Sequence, residues 1–214
     1  MKKNNKRTQQ IIDYWDKRAH DYDRSSLIAA KAYPTILARV KEVLQPEDRV
    51  LDIGSGTGGF TIQYINMVKH VTCSDLSPKM LALSRERLSE YTNVDFSLQD
   101  CTDLKLPPGS YDVVLCINVL HQMHEPQKAI QQFHRVLKPG GRLIAISVAQ
   151  KDMRLLNKLS VALRYSLQYG VPPAMYRLSL RSLSDLIQQY QFSIARSAII
   201  TRSPFPVAMV VAVK

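Results

Sequence analysis

The chain has 214 residues, of which 45% are hydrophobic and 22% are charged. These are ordinary globular proportions, so they exclude bulk disorder and fibrous architectures. The net charge is +11, with +4 in residues 1–47, zero in 48–150 and +7 in 151–214. Basic flanks of this kind attract nucleic acid, acidic lipid or anionic metabolites, although a merely solvated surface explains them equally well.

The cysteines and the hydropathy pattern restrict the compartment. Cys73, Cys101 and Cys116 show no CxxC spacing, so we expect no disulfide frame, no zinc site and no other metal. The basic N-terminus lacks the apolar core of a signal peptide, and no apolar run reaches the roughly 18 residues that a membrane span needs. These observations favour a cytoplasmic protein.

Short β-rich segments alternate with helical periods along most of the chain. The predicted elements are helices over 10–22 and 27–44 (interrupted by Pro34), a strand over 49–54, a helix over 58–68, a strand over 70–76, a helix over 77–91, strands over 94–100 and 111–120, a helix over 127–138, a strand over 142–149, helices over 152–168 and 179–190, and strands over 192–201 and 206–214. The alternation predicts a doubly wound, mostly parallel α/β sheet. The short link between the last two strands predicts an antiparallel hairpin at the sheet edge.

Three helix boundaries carry recognisable signals. Ser77 before Pro78 predicts an N-cap. Gly140 and Gly141 predict a helix stop with positive φ. Ser182 and Asp185 have the spacing of a capping box.

A glycine-rich loop follows the first predicted strand. In VLDIGSGTGGF, residues 50–60, Gly54, Gly56 and Gly59 match the GxGxxG pattern of nucleotide sites. Ligands of open α/β sheets bind beyond the carboxyl ends of the strands, which is where this loop lies.

Carboxylates stand at the ends of three successive strands. Asp52 precedes the loop and would repel a pyrophosphate, whereas an amino group or a sulfonium would be attracted to it. Asp75 ends the second strand, from which an acid reaches ribose hydroxyls, and Asp100 ends the third. Together they predict a cationic adenosine derivative as the ligand.

The segment from Arg49 to about Ala149 resembles the class I S-adenosylmethionine-dependent methyltransferases. The resemblance lies in VLDIGSGTGGF, CSDLSPKMLALSRERL, FSLQDCTDLKLPPGSYDVVLCINVLHQM and AIQQFHRVLKPGGRLIAI, in the family's order. It implies a Rossmann-like seven-stranded sheet with an antiparallel last strand. It also implies S-adenosylmethionine as the methyl donor and S-adenosylhomocysteine as the product.

The resemblance implies roles for individual residues in donor binding. At the methionyl end, Asp52 and the Gly54–Gly58 loop, which contains Ser55 and Gly56, would bind directly or through water. Asn118 would lie beside the methionyl group, and Tyr22 would be a lid contact. At the adenosine end they are Asp75 for the ribose, Leu76 against the adenine, Asp100 for the adenine amine and Cys101 for a ring nitrogen.

A general base is needed only if the acceptor loses a proton. His121, three residues beyond Asn118, is the first candidate, and its alternative role is packing or capping after the strand. His20, His70, His124 and His134 have weaker claims.

The acceptor is constrained mainly by missing motifs. The fourth strand is followed by CINVLH rather than an NPPY-like sequence, and no Pro-Cys pair suggests cytosine chemistry. We therefore expect a small-molecule or lipid acceptor, bound between the N-terminal helices and the 151–180 insertion. The insertion could be a pocket lid, a packing helix or dimer contact, or a membrane-surface helix.

One methyltransferase domain is expected for residues 1–214, as a monomer or homodimer. Its parts are a helical cap (1–47), a donor-binding core (48–150), a helical insertion (151–180) and a closing helix with the edge hairpin (181–214). The alternatives are a methyltransferase for RNA or anionic lipid, a nicotinamide-dependent dehydrogenase, and a donor-binding protein without catalysis.

Overall fold

The computed structural model describes residues 2–25, 32–153, 176–202 and 205–214. Its strands are β1 (Arg49–Ile53), β2 (His70–Asp75), β3 (Val94–Leu98), β4 (Tyr111–Ile117), β5 (Leu137–Val148), β6 (Ser193–Thr201) and β7 (Val207–Val213). They form one seven-stranded sheet in the order β3-β2-β1-β4-β5-β7-β6. β7 is antiparallel to β5 and β6, and the other pairs are parallel. The predicted fold class and edge hairpin are confirmed.

Helices cover both faces of the sheet. They are α1 (Lys2–Asp16), α2 (Tyr22–Ser25), α3 (Tyr33–Lys41), α4 (Pro78–Arg87), α5 (Pro126–Val136) and α6 (Leu180–Gln188). Single 3₁₀ turns occupy Ala19–Asp21, Thr61–Gln63, Ile65–Met67, Leu120–Gln122 and Gln150–Asp152. The predicted helix over 152–168 lies almost wholly outside the described residues, and so does most of the 151–180 insertion.

The core consists of two apolar layers, one on each face of the sheet. Successive residues of a strand point to opposite faces, so Leu51 and Ile53 pack with Phe133 of α5, whereas Val50 packs with Ile36 of α3. Burial on both faces explains why the central strands read as continuous apolar runs. The strand order reverses between β1 and β4, and a crevice is expected at the carboxyl ends of these two strands.

The first two predicted helices have different bounds in the structure. α1 begins eight residues before position 10 and ends at Asp16, so its N-terminal half was missed. Pro34 does not interrupt a helix but stands at the second position of α3, where its missing N–H costs nothing.

Two other predicted elements were wrong in type or length. The predicted helix over 58–68 is replaced by two 3₁₀ turns, Thr61–Gln63 and Ile65–Met67. β4 ends at Ile117 rather than 120, because Asn118 adopts a left-handed conformation with φ of 58° that a strand does not tolerate.

The helix caps follow the predicted chemistry only in part. The Ser77 hydroxyl accepts a hydrogen bond from the Met80 amide at 3.1 Å, which confirms the cap of α4. The capping box of α6 is formed by Ser179 and Ser182, one turn before the predicted pair Ser182 and Asp185.

The prediction that Gly140 and Gly141 end α5 was wrong, because the helix ends at Val136 with an extended Leu137 as its C-cap, and both glycines lie within β5. Gly140 has the positive φ (75°), whereas Gly141 does not share it. A Cβ on Gly141 would lie 2.8 Å from the Lys138 carbonyl oxygen, so this glycine supplies space rather than a turn.

Candidate functional site

The loop after β1 turns sharply through three left-handed glycines. Gly54, Gly56 and Gly58 have φ of 67°, 58° and 74°. Gly59, the third glycine of the GxGxxG match, has no such conformation, so the conformational pattern is GxGxG. The Gly54 and Ser55 amides both donate to the Ser74 carbonyl, at 2.7 and 3.1 Å, which fixes the loop to the end of β2.

Asp75 both shapes the loop and faces the crevice. Its Oδ2 accepts from the Gly56 amide at 2.9 Å and its Oδ1 accepts from the Ser77 amide at 2.8 Å. Each carboxylate oxygen has a second lone pair for a ligand hydroxyl. Burial raises the pKa of Asp75, although the hydrogen bonds from Ser77 and Gly56 oppose that shift.

Asp100 lies two residues beyond the end of β3. Its Oδ1 accepts from the Thr102 amide at 2.9 Å and the Thr102 hydroxyl at 2.7 Å. Its Oδ2 makes no hydrogen bond to the described residues and is therefore available to a donor group such as an amine. Burial raises the pKa of the neighbouring Cys101 thiol to about 12, so that thiol stays protonated.

Asp52 lies apart from the other two carboxylates. Because side chains alternate along β1, it points to the face opposite Ile53. Its Oδ2 accepts from the hydroxyls of Thr61 and Tyr64, at 2.8 and 2.7 Å, beneath the glycine loop. Burial raises its pKa to about 6, against the opposing effect of these two hydrogen bonds. The Asp52 carboxylate therefore lies behind the loop and not, as predicted from the sequence, in the ligand crevice.

Among the described residues, three buried side-chain oxygens near the loop have no hydrogen-bond partner: Ser55 Oγ, Ser84 Oγ and Asn118 Oδ1. Ser55 and Ser84 face the Cys73 thiol, whereas Asn118 lines the crevice. Leaving Asn118 Oδ1 unpaired costs about 1–3 kcal/mol, so a polar ligand is its natural partner. The left-handed Asn118 is held by a bond from its own amide to Ile146 O at 2.8 Å.

The N-terminal segment forms one wall of the crevice. Residues of α1 that line it are Arg7, Thr8, Ile11 and Trp15. Tyr22 also lines it, and its Cε1 lies 4.0 Å from where a Cβ on Gly56 would be. The rings of Trp15 and Tyr22 meet edge to face with centroids 5.8 Å apart.

Two polar contacts hold this segment on the core. The Asp16 carboxylate accepts from the Ser77 hydroxyl and, at 3.3 Å, from the Lys79 amide at the start of α4. Asp23 pairs with Arg87, whose guanidinium also donates to the Thr57 carbonyl at 2.9 Å. Sequence analysis missed both contacts, because they join residues more than 60 positions apart.

The crevice encloses a cavity of about 190 Å³. The predicted site residues that line it are Tyr22, Gly54, Gly56, Asp75, Leu76, Asp100, Cys101 and Asn118. Asp52, Ser55 and His121 are not among the lining residues. Residues that line it without having been predicted include the α1 side chains, Gln122, Met123 and Glu125, and the weaker base candidate His124 lines it as well.

His121 is buried instead against β5. Its Nδ1 lies 2.9 Å from the Ser147 hydroxyl, and burial lowers its pKa to about 4, so the imidazole is neutral at pH 7. Its carbonyl oxygen accepts from the Tyr176 amide at 2.7 Å. In the described part of the chain no cluster of His, Cys, Asp and Glu side chains could hold a metal ion.

The cavity fits a cationic adenosine derivative. Carboxylates stand at the ends of β2 and β3, and the unpaired Asn118 Oδ1 stands just beyond β4. A Cβ on Gly54 would lie 2.2 Å from Val119 Cγ2, so only glycine lets the loop approach this wall. A doubly wound sheet with such a crevice defines a protein that binds a nucleoside-containing cofactor.

Comparison with known proteins specifies the class of protein. Residues 51–145 match the family described as methyltransferase domain. The chain is 29% identical over 189 residues to the demethylmenaquinone methyltransferase of Tropheryma whipplei strain Twist, covering 84% of this chain and 78% of that protein. It is 30% identical over 154 residues to the ubiquinone/menaquinone biosynthesis C-methyltransferase UbiE of Vibrio parahaemolyticus, covering 68% and 60%. The chain is therefore similar to these methyltransferases beyond the matched domain, and it is an enzyme that uses S-adenosylmethionine.

Solved structures agree with this fold. A SAM-dependent methyltransferase of Thermotoga maritima superimposes with a TM-score of 0.72 at 22% identity, over 94% of this chain and 99% of that one. The [4+2]-cyclase SpnF superimposes with a TM-score of 0.69 at 19% identity, over 84% and 80%. The helices within the described ranges include none with the length and apolar character to cross a bilayer.

Proposed function

We propose that this methyltransferase transfers the methyl group to a ring carbon of a quinol, the reduced form of a quinone. The observation that carries the proposal is the similarity to demethylmenaquinone methyltransferase, which extends over 84% of the chain and so includes regions outside the donor site. A quinol is a small molecule with an apolar ring and two hydroxyl groups. It also agrees with the small-molecule acceptor expected from the missing nucleobase motifs.

The cavity lining supports such an acceptor. Ile11, Trp15, Val119 and Met123 offer apolar and aromatic surface for a flat ring. Arg7 and Thr8 stand on the same helix as Ile11 and offer hydrogen-bond donors for ring oxygens.

The protein contributes to the reaction by positioning the methyl donor and the acceptor. Asp75 and Asp100 would hold the adenosine part of the donor, and Gly56 and Asn118 the methionyl part. The bound donor supplies an electrophilic methyl group on a positively charged sulfur. Trp15 and Tyr22 would exclude water from the crevice, and alignment of the two reactants is worth about 7–11 kcal/mol when the geometry is good. No covalent residue is required.

Direct assay tests the acceptor. The enzyme is incubated with S-adenosylmethionine and an anaerobically reduced 2-prenyl-1,4-naphthoquinone, and mass spectrometry should find a product heavier by one CH2 with the new methyl on the ring. A matched acceptor already methylated at that carbon serves as control. Methylation of RNA or of phospholipid headgroups under the same conditions, without ring methylation, would refute the proposal.

We also propose a cytoplasmic location. Cys73, Cys101 and Cys116 are all free thiols, as is usual in a reducing compartment.

A further inference from the structure

Two histidines follow β4, and the structure gives them opposite surroundings. His121 is buried and held by Ser147, away from the cavity. His124 is exposed and lines the cavity, in the segment that joins the 3₁₀ turn Leu120–Gln122 to α5. Only the second of them is therefore placed to meet a molecule in the crevice.

The segment around His124 is fixed to the donor side of the cavity. The Gln122 side-chain amide donates to the Asn118 carbonyl at 2.7 Å. Met123 Sδ lies 4.0 Å from Cys101 Sγ, next to Asp100. These contacts hold Gln122 and Met123 beside Asn118 and Cys101, and the next residue, His124, lies on the cavity wall.

The opposite wall comes from α1. Asp16 anchors the end of this helix at Ser77, and Arg7 lies about 13 Å further along the axis at 1.5 Å per residue. Arg7, Thr8 and Ile11 thus line a part of the cavity that none of the donor-binding strand ends supplies. We take the parts of the lining outside the donor-binding strand ends, on α1 and at His124, as the acceptor side.

The other titratable groups in the lining are less suited to accept a proton. Asp75 is bonded by two backbone amides, and Asp100 is bonded by Thr102 and lies at the adenosine end. Glu125 accepts from Lys128 at 2.9 Å. The remaining ones are Arg7, which stays cationic, Cys101, whose pKa is raised to about 12, and Tyr22, a phenol.

We propose that His124 is the general base that takes a hydroxyl proton from the quinol acceptor during carbon methylation. This rests on the proposed function. As the O–H proton passes to His124, the ring carbon forms the new bond to the methyl group. The methyl–sulfur bond breaks, and its electron pair remains on sulfur. The ring then loses its hydrogen as a proton and regains the hydroxyl proton, so one proton is released per turnover and no oxidant is consumed.

The proposal has a pH signature. A general base must be deprotonated before it accepts a proton, so kcat should rise with pH and then level off. The charged groups that share the cavity lining with it are Arg7, Asp75, Asp100 and Glu125, and Glu125 pairs with Lys128 on α5. The guanidinium of Arg7 would also stabilise the phenolate oxygen as it forms.

The test compares H124Q with H121Q and with H70Q. His70 lies at the start of β2, at the other end of the sheet, and pairs with Asp95. We expect H124Q to lower kcat on the naphthoquinol by about 10²- to 10⁴-fold and to remove the acid limb of its pH profile. A fluorinated, more acidic quinol should recover part of the loss, and S-adenosylmethionine affinity by calorimetry should stay within about twofold.

Each other outcome has a definite meaning. If H124Q keeps the wild-type kcat and pH profile, or if H121Q alone loses the acid limb, His124 is not the base, although the proposed function stands. If the wild-type enzyme methylates no quinol, the proposed function and this inference both fail. As a measurement independent of turnover, the imidazole resonances of His124, but not of His70, should shift in NMR spectra when the quinol is added.

Discussion

Individual carboxylates at the strand ends differ more in their surroundings than their positions in the sequence indicate. Asp75 and Asp100 line the cavity, and each also bonds backbone amides that shape its own loop. Asp52 lies near the end of β1, the strand between β2 and β4. It instead accepts hydrogen bonds from two hydroxyl groups below the glycine loop. A carboxylate can thus serve a ligand, a loop or both.

Replacing Asp75 by alanine tests the first of these roles. D75A should weaken S-adenosylmethionine binding by about 1.5–3 kcal/mol, because the variant loses charge-assisted bonds to the ribose. Isothermal titration calorimetry measures the change. D95A is the matched control: Asp95 is an exposed acid on the adjacent strand, and its removal should leave the affinity unchanged. Equal affinities of D75A and the wild type would exclude Asp75 from the donor site.

Asp52 makes the protein's stability depend on pH. Its pKa is about 6 in the folded state against 3.8 ordinarily, so the folded state binds more protons than the unfolded state between these values. Stability is therefore lost as pH rises from about 4 to 6. D52N, which keeps an acceptor for Thr61 and Tyr64, should raise the free energy of unfolding by about 2 kcal/mol at pH 7.5 and by little at pH 4. Urea unfolding of both proteins at the two pH values checks this, and a pH-independent difference would disprove it.

At the level of elements, the loop after β1 depends on glycine for two separate reasons. Gly54 needs a left-handed backbone, and the space where its Cβ would be is filled by Val119. Gly109 has nearly the same φ, 63°, but nothing lies within 4 Å of its Cβ position. Substitution of Gly109 therefore measures the cost of backbone strain alone, whereas substitution of Gly54 adds the cost of a steric clash.

We expect G109A to destabilise the protein by about 1–2 kcal/mol through the backbone alone. G54A should add about 1–3 kcal/mol of overpacking and should also weaken donor binding. Denaturant unfolding and calorimetry measure both effects. The double variant G54A/V119A should recover part of the stability that G54A loses. Equal losses of stability in G54A and G109A would contradict the steric explanation.

α1 is the element that sequence periodicity described least well. Its first turns are basic and polar, and its orientation depends on Asp16 and Asp23, which reach Ser77 and Arg87 on or next to α4. The residues that line the cavity from this helix have no motif of their own. They become recognisable only once the helix is placed against the core.

For the whole molecule, a buried ion pair connects the loop before β1 with β5. Arg142 pairs with Asp48, whose side chain is 4% exposed, and also donates to the Val43 carbonyl at 2.8 Å. The pair spans the sheet across β1, β4 and β5. It holds α3 against the strands that end at the crevice.

R142Q should therefore lower the free energy of unfolding by about 3 kcal/mol, because it leaves a buried carboxylate uncompensated. K69Q removes an exposed pair with Glu47 and should cost no more than about 0.5 kcal/mol. Thermal or urea unfolding compares the two. Equal effects would mean that the Asp48 pair contributes no more than a surface contact.

Sequence by itself determined the strand and helix alternation, the edge hairpin, the glycine turn and the two acids, Asp75 and Asp100, that follow β2 and β3. These depend on local periodicity and on the rule that parallel strands end at one edge, so neighbours in sequence are enough. Only the tertiary structure decided that Asp52 turns behind the loop, that α1 closes the crevice and that His124 rather than His121 faces it. Those outcomes depend on which face of a strand is covered and on contacts between residues far apart in the chain, and local patterns carry no information about either.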